Sequence, residues 1–184
     1  MRILAISGSL RASSSNTALL QAAAALAPQD VEVVLYDGLG DLPHFNPDLD
    51  GETVAPAVSG WRSKIRDADG VVFSVPEYAH GVPGVLKNGL YWVVGSGEFV
   101  GKPVTLFNAS PRSTYAQASL TETLTVMSAK VVSEASVTLP LLGKTVTAAQ
   151  IVAEPGMAAV VRSGLEGFAG AIETIPAARQ ILGC

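Results

Sequence analysis

Near the start of the chain, Gly8-Ser9-Leu10-Arg11-Ala12-Ser13-Ser14-Ser15-Asn16 brings together hydroxyls, one guanidinium and one amide. Ser9, Ser13, Ser14 and Ser15 offer donors without added charge, and Asn16 can cap a helix or donate its amide. Arg11 is the only Lys or Arg between Arg2 and Arg62. A single guanidinium in such a loop suits one phosphate monoester, held by a paired hydrogen bond. Gly8 would let the backbone turn tightly and approach a ligand. The loop has no Gly-Lys-Ser/Thr and no Gly-x-Gly-x-x-Gly, so it is neither a P-loop nor a dinucleotide fingerprint. Taken alone, it is equally an ordinary helix start with a solvent-facing arginine.

A second set of groups is Pro76-Glu77-Tyr78, a carboxylate beside a phenol. Such a turn could give backbone donors and acceptors to the edge of a planar heteroaromatic ligand and a flat surface to its face. The competing reading is a tight turn with Tyr78 packed on the sheet end and Glu77 in solvent. A third polar loop, Ser110-Pro111-Arg112-Ser113, follows an apolar run. Hydrolytic chemistry finds little support. There is no Gly-x-Ser-x-Gly, the single cysteine is Cys184 at the chain end, and the Asp48/Asp50 pair reads as a solvated surface. His44 and His80 are too few and too isolated for a metal cluster. The chain is short of catalytic groups, so a cofactor would have to bring the chemistry.

The elements that must position these loops alternate. Arg2–Ser7 is an apolar run with little alternation, which predicts a strand buried on both faces. Thr17–Leu26 predicts a helix ending before Pro28. Strands are expected at 31–36, 68–75 and 102–109, with a short one near 130–137. Helices are expected at 53–66, from Pro83, at about 114–127 and at 157–175. The segment 39–51 is too polar and broken for an element. Gly164, Gly167 and Gly170 give the last helix one smooth face that another helix could approach. Alternation with right-handed crossovers predicts an α/β doubly wound parallel sheet. If its order is 2-1-3-4-5, the loops after Ser7, Val75 and Ala109 converge on one crevice at the carboxyl ends of the strands.

Composition agrees with this class. The 184 residues allow one α/β domain with a five-stranded sheet, and 48% hydrophobic against 15% charged residues implies extensive burial. Net charge is -4 with a pI near 5.1, and the cations form no stripe, which argues against nucleic acid or an anionic membrane surface. Mean hydropathy is +0.37, yet no apolar run approaches the ~20 residues needed to span a bilayer. The start lacks a signal-peptide pattern, and one cysteine permits no internal disulfide, so a cytoplasmic protein is expected.

Gly8-Ser9-Leu10-Arg11-x-x-Ser14-x-Asn16, Pro76-Glu77-Tyr78 and Pro83-Gly84-Val85-Leu86-Lys87-Asn88 together resemble the NADPH-dependent FMN reductase family of quinone, chromate and azo-dye reductases. The match runs over residues 1 to about 112. The resemblance implies one flavodoxin-like FMN-binding domain over residues 1–184. It also implies that Ser9, Arg11, Ser14 and Asn16, with the backbone of Ser15, hold the FMN phosphate. By the same resemblance Pro76, Glu77 and Tyr78 border the isoalloxazine, and Ser110 lies near the ring from the other side. No metal is implied. The implied activity passes electrons from NADPH or NADH through FMN to a small-molecule acceptor, in a homodimer or homotetramer. The same fold and flavin would also serve a non-enzymatic carrier or redox sensor, and the loop alone would serve another nucleotide. Three departures stand out: Ala79 where many members have Asn, Tyr91 where an Asp is usual, and Ser-Thr-Tyr after Arg112 instead of a glycine-rich run.

Overall fold

The fold comes from a computed structural model in which residues 1–141 and 146–175 are described. β1 (Arg2–Ser7), β3 (Gly70–Ser74) and β4 (Pro103–Asn108) form the centre of a parallel sheet. β2 (Glu32–Tyr36) pairs outside β1, and β5 (Lys130–Val131) pairs outside β4, giving the order β2-β1-β3-β4-β5. β6 (Val137–Thr138) also pairs β4, at Phe107 and Asn108. The expected short strand near 130–137 is therefore two strands, split by a 3-10 turn at Ser133–Ala135, and the sheet has six strands instead of five.

Alternate strand residues point to opposite faces. Leu4, Ile6, Val71 and Phe73 pack against α2 (Pro56–Arg66), α3 (Gly84–Tyr91) and α4 (Thr114–Val126). Ile3, Ala5, Val72 and Phe107 pack against α1 (Ser15–Leu26), α5 (Ala148–Ala153) and α6 (Pro155–Thr174). Every residue of β3 and β4 is buried, which is why those strands carry no polar alternation. In α2, Trp61 and Ile65 are fully buried, while Arg62 and Arg66 reach the segment after α3.

Several boundaries differ from the sequence reading. α1 starts two residues before the expected Thr17, because Ser14 caps it. α2 begins at Pro56, which occupies the first helical position where a missing N–H costs nothing. Pro83 precedes α3 as its cap and is not in its first turn. Within 39–51 the chain forms two short 3-10 turns, Gly38–Asp41 and Pro47–Leu49. They are held from α3: Asn88 accepts from the Phe45 N–H at 2.8 Å and donates to the Pro43 carbonyl at 2.9 Å, which Trp92 also meets at 2.8 Å. Cys184 lies outside the described residues.

Candidate functional site

The loop after β1 is built from hydroxyl bridges. The Gly8 N–H donates to the Ser74 carbonyl at 2.9 Å, prolonging the β1–β3 pairing. A Cβ on Gly8 would come within 2.9 Å of Val75 Cγ1, so close packing against the segment after β3 also favours glycine here. Ser7 and Thr17 hydroxyls meet at 2.8 Å across the loop. The helix cap is Ser14, whose Oγ accepts from the Thr17 N–H at 3.3 Å. Asn16 sits inside α1, and its Oδ1 accepts from the buried Ser74 hydroxyl at 3.0 Å, which joins α1 to the end of β3.

After β3, Tyr78 and Gly81 exchange backbone hydrogen bonds around Ala79 and His80, which have φ of 48° and 59°. Two consecutive left-handed residues make a tight primed turn, a conformation asparagine enters more readily than alanine. This gives the Ala79 departure a backbone meaning. Glu77 is not in solvent: its Oε2 accepts from the Ala116 N–H at 3.0 Å, at the start of α4. The α4 cap residue Ser113 makes no side-chain capping bond, so this carboxylate takes over one of the orphan donors of the first turn. A second clasp joins the same elements, with the His80 and Tyr115 rings stacked at 4.2 Å. Tyr78 is 53% exposed and so does not pack on the sheet end.

After β4, Asn108 Oδ1 accepts from the Ser110 N–H at 3.0 Å, and Ser110 Oγ accepts from the Arg112 N–H at 3.2 Å. Ser113 is buried, and its hydroxyl has no hydrogen-bond partner.

One cavity of about 480 Å³ opens where these three loops meet, within the range of small-molecule and cofactor sites. From the first loop it is lined by Ser9, Arg11, Ser13, Ser14, Ser15 and Asn16; from the second by Val75, Pro76, Glu77 and Tyr78. The third loop contributes Ala109, Ser110, Arg112 and Ser113. All nine residues singled out from the sequence thus share one cavity. Arg112 and Ser113, from the third polar loop, line it as well, although the resemblance assigned them no role. Asp50 lies elsewhere, paired with Arg62 at 2.6 Å. Among the described residues no cluster of His, Cys, Asp and Glu could hold a metal.

The donor set has a consistent sign. Ser9, Ser14, Asn16 and Ser110 each have an oxygen acceptor engaged inside the protein, by Arg11 N–H, Thr17 N–H, Ser74 Oγ and Arg112 N–H respectively. Their O–H and N–H donors remain for a ligand. With Arg11 and the α1 N-terminus this cavity wall suits an anion such as a phosphate. On the opposite wall the Ser113 hydroxyl is enclosed by protein and has no hydrogen-bond partner.

The family described as NADPH-dependent FMN reductase matches residues 1–142. An NAD(P)H-dependent FMN reductase of Pseudomonas aeruginosa is 40% identical over 112 residues, covering 60% of this chain and 60% of that protein. A 2-hydroxy-1,4-benzoquinone reductase of Burkholderia is 38% identical over 114 residues, covering 60% of this chain and 61% of its own. The chain thus spans less than two thirds of these relatives' length. Among solved structures, the flavoenzyme NAD(P)H:(acceptor) oxidoreductase of Paracoccus denitrificans superposes with a TM-score of 0.76 at 26% identity, over 95% of this chain and 98% of that one.

Proposed function

The chain belongs to the NADPH-dependent FMN reductase family, and from that premise we propose that it is an FMN-dependent NAD(P)H oxidoreductase acting on a quinone or similar acceptor such as chromate or an azo dye. FMN held in the cavity would supply the redox chemistry, hydride acceptance from the nicotinamide and electron transfer to the acceptor. The reading rests chiefly on the cavity wall whose acceptors are engaged internally and whose donors are left over. Arg11, Ser9, Ser14, Asn16 and the Ser15 backbone hold the phosphate at the start of α1. Pro76, Glu77 and Tyr78 border the ring on one side and Ser110 on the other. Because Glu77 is bound to the Ala116 N–H, its carboxylate is directed to α4, which lessens repulsion of an electron-rich ring edge.

A homodimer or homotetramer is part of the reading, supported by exposed Tyr91, Val94, Tyr115 and Val126 around α3 and α4. A cytoplasmic location is also part of the reading; among the described residues no helix is long and apolar enough to cross a membrane.

The test is an absorption spectrum of protein incubated with FMN, desalted and titrated anaerobically with NADPH. Retained flavin bands that bleach are expected. Retained flavin that NADPH leaves oxidised would make the protein a carrier or sensor. Arg11→Ala should weaken FMN binding about tenfold or more, the equivalent of a lost charge-assisted hydrogen bond of ~1.5–3 kcal/mol. Unchanged affinity in that variant would remove the phosphate assignment, and a solution mass near 18.9 kDa would remove the oligomer.

A further inference from the structure

We propose that Arg112 anchors a phosphate group of the nicotinamide donor. The inference rests on the flavin reading of the cavity. Arg11 and Arg112 are the two basic residues that line it, one after β1 and one after β4. The flavin carries a single phosphate, for which Arg11, the serines and the α1 N-terminus are sufficient. Arg112 is then a second cation in a site whose cofactor needs only one.

Its setting is built for a ligand. The Arg112 N–H donates to Ser110 Oγ at 3.2 Å and its carbonyl accepts from the Thr114 N–H at 3.0 Å, so the backbone is fixed at the cavity rim. Its guanidinium is exposed and enters no ion pair among the described residues. The adjoining Ser113 lines the same cavity with a side chain enclosed by protein, so Arg112 is the group that reaches the open space there. The one carboxylate lining the cavity, Glu77, accepts from the Ala116 N–H at 3.0 Å and does not neutralise Arg112 through an ion pair.

Charge separates the donor from a quinone acceptor: the quinone has no permanent charge, whereas the dinucleotide carries phosphates that stay ionised at neutral pH. An arginine fork matches their oxygens with two parallel hydrogen bonds.

Calorimetric titration of FMN-loaded protein with NADP+ and with NAD+ tests this, comparing wild type with Arg112→Gln and Arg112→Lys. Arg112→Gln should weaken NADP+ binding about tenfold or more and raise KM for NADPH to match, with kcat within about twofold. FMN content and the KM for the quinone should stay as in wild type, and Arg112→Lys should recover part of the loss. A loss confined to NADP+ would identify the phosphate on the adenosine ribose; an equal loss for NAD+ would identify the pyrophosphate. Unchanged dinucleotide affinity in Arg112→Gln overturns the inference, as does loss of FMN from that variant, which would assign Arg112 to the flavin. Wild type that takes up no FMN overturns the flavin reading together with this one; wild type that takes up FMN, with Arg112→Gln unchanged, overturns this one alone.

Discussion

Tyr36 ends β2 with its ring 4.7 Å from that of Trp61, and its phenol is pushed up to about 12 by burial and then by the carboxylates of Asp41 and Asp37. An unfolded tyrosine ionises near 10. Between those two values the folded chain keeps a proton that the unfolded chain has released. The stability this contributes is complete below about pH 10 and is lost as pH rises towards 12. Tyr36→Phe should flatten the fall of the thermal midpoint across that window, and a variant that declines as steeply as wild type would assign the effect elsewhere. Residue types at the cavity were legible in the sequence, because its small donors and a cation stand close together in the chain. Partners were not. Ser14 caps α1 where Asn16 was also eligible, and Glu77 reaches an N–H thirty-nine residues on. Both outcomes depend on how β1, β3 and β4 lie side by side, which no local pattern encodes.

At the scale of elements, the central strands were legible because burial on both faces leaves an unbroken apolar run. The edge strand was not: a 3-10 turn at Ser133–Ala135 interrupts it where α6 lies across. α5 carries a local sequence signal, the capping box between Thr147 and Gln150. The glycines of α6 have a different meaning from the expected helix-facing stripe. A Cβ on Gly164 would overlap Val137 Cγ2 and stand 3.3 Å from the Ala135 carbonyl oxygen, whereas around Gly170 none of the described residues lies within 4 Å. Gly164 therefore lets α6 settle onto the edge of the sheet, and Gly170 makes no such contact with the described residues. Gly164→Ala should lower the urea midpoint, since overpacking of ~1–3 kcal/mol outweighs a helix-propensity gain of at most ~1 kcal/mol. Gly170→Ala receives the gain without the clash and should raise it. A Gly164→Ala protein more stable than wild type would show that α6 can shift away from β6.

At the scale of the molecule, the cavity draws on loops at residues 9–16, 75–78 and 109–113, which approach one another only when β1, β3 and β4 are paired. The unfolded chain has no such site, so a ligand of this cavity binds the native state alone. Free FMN at a hundred times its dissociation constant should then add ~2.7 kcal/mol of stability. For a chain of 184 residues that corresponds to a thermal midpoint raised by about 5–11 °C. Riboflavin, which keeps the ring and lacks the phosphate, separates the two halves of the cavity. If Arg11, the serines and the start of α1 hold the phosphate, riboflavin at the same concentration should raise the midpoint much less. Equal shifts for the two flavins would mean that the ring alone is bound and would dissolve the phosphate site. No shift with FMN at concentrations up to its solubility would mean that the three loops, though adjacent, do not form a flavin cavity.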